Sequence, residues 1–190
     1  MQKRSRSRKN MSHSSALVET IRQSRFHDHD AMIYPDLATF RQVYSEAAKE
    51  ALERNEIVFL ATTYDSFQRV IDSLTHTGIS MNREAKDGNL IILDAVKAYQ
   101  IDTMGAYTFA ETLVKRAVKD GKAGVFNISD MGSFFLTERT PRLLQYEEGI
   151  PKKMMDLEFK GICAYHKADF ANLSKEQQEM VISSHNRMMT

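Results

Sequence analysis

Three kinds of residue in this chain have side chains and spacings suited to chemistry. The first is the run His27-Asp28-His29-Asp30. On an extended segment successive side chains alternate, so His27 and His29 share one face and the two aspartates share the other. Two imidazoles on one face can meet one metal ion, with a third ligand such as His166 or His185 arriving from elsewhere. The simpler reading is a polar lead-in to a strand, with His29 satisfied by hydrogen bonds, and no metal or cofactor is expected. The second kind is the set Tyr34, Tyr64 and Tyr165, which follow or end apolar runs. Such residues give a small-molecule site apolar walls with polar tips, or serve as core-edge tyrosines with bonded hydroxyls. The third is a pair of carboxylates at similar positions, Asp94 and Asp130. Cys163 sits inside an apolar run with no base beside it, so it reads as a buried strand residue. No G-x-S-x-G and no Ser/His/Asp spacing is present.

The elements that must position these residues can be read from the periodicity. From Phe26 onward short apolar runs alternate with helical patterns. Strands are expected at Ala31–Tyr34, Ile57–Thr62, Leu90–Leu93, Val125–Ile128 and Gly161–Tyr165. Continuous apolar runs such as Ile57–Thr62 are what a sheet buried on both faces demands. Helices are expected at about Leu37–Arg54, Ser66–Thr75, Thr108–Asp120 and Thr140–Leu157, the last interrupted at Gly149-Ile150-Pro151. A final helix, Lys175–Met188, opens at a Ser174 cap. A looser loop is expected at 96–107. The fold class is therefore α/β: three layers, a mostly parallel sheet with helices on both faces. Ligands of such sheets bind outside the carboxyl ends of the strands. That places His29, Tyr34, Tyr64, Asp94, Asp130 and Tyr165 as the candidate ligand-binding set.

Composition narrows the function. The chain has 190 residues, 42% apolar and 27% charged, which suits one soluble domain rather than two large ones. One cysteine permits no internal disulfide, so a cytoplasmic setting is expected. No run reaches the roughly 18 apolar residues of a membrane span, so no membrane partner is expected. Residues 1–25 carry seven basic residues and one acid, against a whole-chain charge of +1, so the body is mildly acidic. Residues 1–25 are read as a basic, disordered tail, with a short helix at Ala16–Arg25 (Leu17, Val18 and Ile21 on one face) leading into the domain, and 26–190 as the domain. A nucleic-acid surface would extend basic charge into the body, so any nucleic-acid contact is expected through the tail alone.

The first strand-to-helix turn decides against phosphate chemistry. The usual device is G-x-x-x-x-G-K-[ST], but Ala31–Phe40 contains neither glycine nor lysine, and Pro35 removes a backbone donor. After the second strand stand Thr63 and Tyr64, neither able to activate water.

Ile57–Asp65, Asn89–Ala95 and Gly124–Phe135 resemble, in order and type, the second, third and magnesium-binding strands of KaiC-type RecA-like ATPases. A closer resemblance is to MEDS domains, a degenerate branch of that superfamily without Walker motifs, named after methanogen and methylotroph proteins and the regulator DcmR. His29-Asp-Ala-Met-Ile-Tyr34, Asn55-Glu56, Asp130-Met131-Gly-Ser, Cys163-Ala-Tyr165, Phe170 and His185 carry it. The resemblance implies a non-enzymatic sensory module in signal transduction or transcription control. Its partner would be a small organic ligand or a signalling protein, and its output would come through a partner, through self-association as a homodimer, or through the tail. The alternatives are a KaiC-like nucleotide-binding protein or ATPase with a non-standard phosphate loop, and a nucleic-acid-associated regulator.

Overall fold

The computed structural model describes residues 12–99, 103–154 and 156–190. In chain order the elements are α1 (His13–Ile21), β1 (His29–Tyr34), α2 (Leu37–Glu53), β2 (Ile57–Thr62), α3 (Phe67–His76), α4 (Met81–Lys86), β3 (Leu90–Asp94) and α5 (Ala95–Ala98). Then come α6 (Thr103–Lys119), β4 (Val125–Asp130), α7 (Gly132–Leu136), α8 (Thr140–Met154), β5 (Phe159–His166), α9 (Lys167–Ala171), α10 (Lys175–Ser183) and β6 (Met188–Met189). The strands form one six-stranded sheet in the order β3-β2-β4-β5-β1-β6. Every pairing is parallel.

Alternation along the strands divides the core into two faces. Met32, Tyr34, Val58, Leu60, Phe126, Ile128, Ile162 and Ala164 point to one side, where α1, α2 and α3 cover them through Leu17, Val18, Phe40, Tyr44, Val70 and Leu74. Ala31, Cys163 and Tyr165 point to the other side and meet Phe134 of α7, Leu143 of α8, Phe170 of α9 and Val181 of α10. Further along that face, Ile57, Val125 and Phe159 pack on Ala110, Leu113 and Ala117 of α6. Burying a side chain such as Phe126 or Leu143 contributes about 1.5–3 kcal/mol. The expected three-layer architecture is therefore present, with all strands parallel.

Several boundaries differ from expectation. Part of the segment read as tail is folded, as the helix expected there. Ser12 caps α1 by accepting from Ser15 N, and Leu17, Val18 and Ile21 are buried against α2, so this segment belongs to the domain. Residues 1–11, which carry most of the tail's basic charge, lie outside the described residues. The loop expected at 96–107 contains α5 and the first turn of α6. The helix α8 runs through Gly149-Ile150-Pro151 to Met154. The last helix stops at Ser183, five residues early, and the chain turns back to add β6 beside β1. Two residues are too few to show a strand period, which is why β6 escapes sequence reading. No helix among the described residues is long and apolar enough to cross a membrane.

Candidate functional site

At the carboxyl ends of the strands the structure gathers three of the six predicted site residues. Asp130 ends β4 and is fully buried. Its Oδ1 accepts from Tyr34 Oη at 3.2 Å and from Gly132 N at 2.9 Å, and its Oδ2 accepts from Thr63 N at 3.2 Å. Tyr64 is partly exposed and donates to Asp169 at 2.7 Å. Burial raises the Asp130 carboxyl to about 6, against the backbone and tyrosine donors that favour its charge. Asp36, where a phosphate loop would stand, caps α2 through its side chain, accepting from Thr39 N at 2.8 Å.

The other three predicted residues lie elsewhere. His29 begins β1, so it stands five residues, about 16 Å, from Tyr34 at the opposite end of the strand. Asp94 ends β3, but its carboxylate caps α5 by accepting from Val96 N and Lys97 N. Tyr165 is in register with Ile33, not Tyr34, so it faces the opposite side of the sheet from Tyr34 and Asp130. The three tyrosines therefore do not wall one pocket.

His29 and Tyr165 instead belong to a buried polar centre between the sheet and α8 and α10. His29, Glu147, Cys163 and His185 each turn one ligand atom inward, and these four atoms all lie within 4.8 Å of one another. Strand alternation delivers two of them. His29 is paired with Gly161, which has no side chain, and Cys163 follows two residues on, on the same face. Glu147 is one helical turn after Leu143, whose side chain is buried against this part of the sheet, so the carboxylate follows it inward. His185 is four residues past Val181, another core anchor.

The distances resemble the edges of a coordination polyhedron. His29 Nε2 is 3.2 Å from Cys163 Sγ and 3.5 Å from Glu147 Oε2. Glu147 Oε2 is 3.3 Å from His185 Nε2 and 3.8 Å from Cys163 Sγ. A tetrahedral zinc site with metal–ligand bonds of about 2.0–2.3 Å has edges of roughly 3.3–3.8 Å. The outer contacts point the same way. His29 Nδ1 faces the Ser184 carbonyl at 3.3 Å and His185 Nδ1 faces the Val181 carbonyl at 2.6 Å. A ring that donates from Nδ1 to a carbonyl keeps its lone pair on Nε2 and directed inward. His185 Nε2 lies 3.3 Å from Glu147 Oε2 without making a regular hydrogen bond. The other carboxylate oxygen of Glu147 accepts from the Tyr165 hydroxyl.

Electrostatics fit the same picture. Burial pushes Glu147 up, but the two imidazoles and the Tyr165 hydroxyl outweigh it and hold the carboxyl below its ordinary value. Burial lowers His29. Burial also opposes charging His185, yet Glu147 raises it. Burial and the neighbouring carboxylate push the Cys163 thiol well up. A divalent cation with one thiolate, one carboxylate and two neutral imidazoles sums to zero charge, which removes the penalty of burying unpaired charge.

Sequence reading placed His29 and His185 among metal-ligand candidates but paired them with His27, whose backbone turns away at φ 74°. Glu147 was missed because Glu147-Glu148 reads as the solvent face of a helix. Cys163 is buried in β5, as expected.

A parallel sheet in this strand order, covered by helices on both faces, is the architecture of a RecA/KaiC-like fold. The model of the MEDS family, the methanogen/methylotroph, DcmR sensory domain, matches residues 28–186, and the chain belongs to this family. Among solved structures it is similar to a KaiC-like protein of the hyperthermophilic archaeon Pyrococcus horikoshii, with 11% identity, 85% of this chain and 69% of that chain covered, and a TM-score of 0.58. It is also similar to an uncharacterized protein of Pyrococcus horikoshii in complex with an unknown peptide, with 12% identity, coverage of 85% and 76%, and a TM-score of 0.62. These likenesses show the fold. No curated protein matches the chain in the sequence comparison.

Proposed function

We propose that this chain is a non-enzymatic sensory domain in signal transduction or transcription control, and that its detecting element is the buried centre loaded with a divalent transition metal such as zinc. Membership of a sensory-domain family supports the general role. The observation that carries the finer reading is the paired orientation of the two imidazole rings. Both histidines spend Nδ1 on backbone carbonyls and turn Nε2 toward the same carboxylate, beside a thiol. Mixed nitrogen, sulfur and oxygen donors suit zinc and its neighbours better than calcium or magnesium. Four protein ligands in a buried setting define a closed site, whereas catalytic zinc keeps a position open. The strand-end trio is the weaker seat for a ligand, because Asp130 spends its acceptors within the protein. A phosphate site has no comparable support, since Asp36 places its own carboxylate at the start of α2.

The test is zinc affinity, measured by competition with a chromogenic chelator, for the full chain and for His29→Ala, Cys163→Ser and His185→Ala. The expected result is one zinc per chain, with affinity lost by orders of magnitude in each variant. Equal zinc affinity in all four proteins would overturn the reading.

A further inference from the structure

A second feature of the same sheet face is a cavity of about 100 Å³ beneath α6 and α8. Its walls are mostly aromatic. Phe59 and Phe109 meet edge to face at 5.3 Å, Tyr99 and Tyr146 do the same at 5.3 Å, and Phe159 closes one side. Its lining includes one side-chain amide, Asn127, and no charged side chain.

These features fix the chemistry of an occupant. An apolar cavity of about 150 Å³ holds benzene and a water takes about 30 Å³, so about 100 Å³ suits four or five heavy atoms. A charged ligand would lose its hydration with no counter-charge in the wall. Asn127 directs its amide nitrogen to the Phe59 carbonyl at 3.2 Å and to Ser129 Oγ at 2.8 Å. The Asn127 carbonyl oxygen accepts from Ser129 Oγ at 3.3 Å; with both amide hydrogens committed, what Asn127 has left for a ligand is the second lone pair of that oxygen, an acceptor. We propose that this cavity binds a small neutral molecule, apolar over most of its surface, whose single hydroxyl-type donor meets Asn127.

The position of the cavity suits a sensory domain. Tyr146 lines it, and the next residue on α8 is Glu147 of the buried centre. Tyr146 packs against both the core cluster around Cys163 and the one around Phe159, so its ring borders cavity and centre alike. The cavity proposal stands apart from the metal; only this link rests on the metal reading.

The experiment is a titration of the full chain with 2-butanol and with 2-butanone, two molecules of nearly equal size of which only the alcohol donates, followed by the ring resonances of the bound state. The expected result is saturable binding of 2-butanol, about tenfold tighter than 2-butanone, the worth of one hydrogen bond. Ala110→Leu, which fills the cavity from α6, should abolish it. Ala98→Leu fills it from another wall and serves if the first variant does not fold. Absence of saturable binding, equal binding of the two probes, or binding that survives the filling variants would overturn the proposal. Each titration is run with zinc added and with zinc removed by a chelator. Tight zinc binding without alcohol binding sinks the cavity proposal and leaves the centre standing. Alcohol binding in a chain that takes no zinc supports the cavity and sinks the centre.

Discussion

His29 and His185 stack with ring centroids 4.1 Å apart and planes 20° from parallel, and both direct Nε2 at one oxygen of Glu147. The two residues are 156 positions apart in the chain. One opens the first strand and the other follows the last helix, so the centre ties the two ends of the domain together across the sheet.

The Tyr165 hydroxyl should matter to this centre without touching a metal. It donates to the Glu147 oxygen that faces away from the other ligands. Tyr165→Phe removes that donor and keeps the ring in its buried place. Groups that orient a ligand in this way typically cost 10–100-fold in metal affinity when removed, so a loss of about that size is expected in the chelator competition. An unchanged affinity would show that Glu147 needs no such support.

Asp130 predicts an unusual pH dependence of stability. Its carboxyl is raised from 3.8 to about 6 in the fold. The folded state therefore holds this proton more tightly than the unfolded state. Between about pH 4 and pH 6 the unfolded chain binds fewer protons here, so this residue's contribution to stability falls as pH rises. Two pKa units correspond to about 3 kcal/mol at most. Asp130→Asn carries no such titration. Chemical denaturation at pH 4.5 and pH 7 should show the wild type losing stability relative to the variant at the higher pH; a constant difference would contradict the assignment.

Lys160 and Glu56 form a buried ion pair at 2.8 Å, with both side chains under a tenth exposed. Burial lowers the lysine, and Glu56 only partly compensates. Lys160→Met leaves the buried Glu56 with Arg54 as its remaining charged partner and should cost about 1–3 kcal/mol. Adding Glu56→Leu should restore most of that loss, since an apolar pair of similar volume often serves as well. Arg54, the other partner of Glu56, is exposed enough to be solvated alone. Equilibrium urea denaturation of the single and double variants decides the matter.

The last helix depends on its cap. Ser174 accepts from Gln177 N and receives the Gln177 side chain on its own N–H, a complete capping box. Ser174→Ala should cost about 1 kcal/mol. Because α10 carries the chain to His185, zinc binding should weaken with it. A stability loss without any change in zinc affinity would show that His185 is held by Asn186 and Arg187 alone.

How much of this could be read from the sequence follows from what each element rests on. The strands β1 to β5 were legible because each is a dense apolar run, and α2 because its apolar spacing is long and regular. Asn55 and Gly78 marked helix ends because both adopt positive φ where an ordinary residue would be strained. The short helices α4, α7 and α9 carried no period to read. The site was half legible. Tyr34, Tyr64 and Asp130 meet at the strand ends because strand position alone predicts it. His29 and Tyr165 lie away from the strand-end trio, because which end and which face a strand residue occupies depends on register. Glu147 had no signal, since a buried carboxylate and a solvated one look alike in a helix.

The central claim is that four side chains from both ends of the domain form one metal centre, and cobalt tests it most directly. Titrating the full chain with Co²⁺ should produce the visible bands of tetrahedral cobalt together with the near-ultraviolet band of a sulfur–cobalt bond, saturating at one ion per chain. Cys163→Ser should abolish the sulfur band, and His185→Ala should weaken or lose the visible bands. A spectrum of octahedral cobalt, or one unchanged by either substitution, would contradict the account.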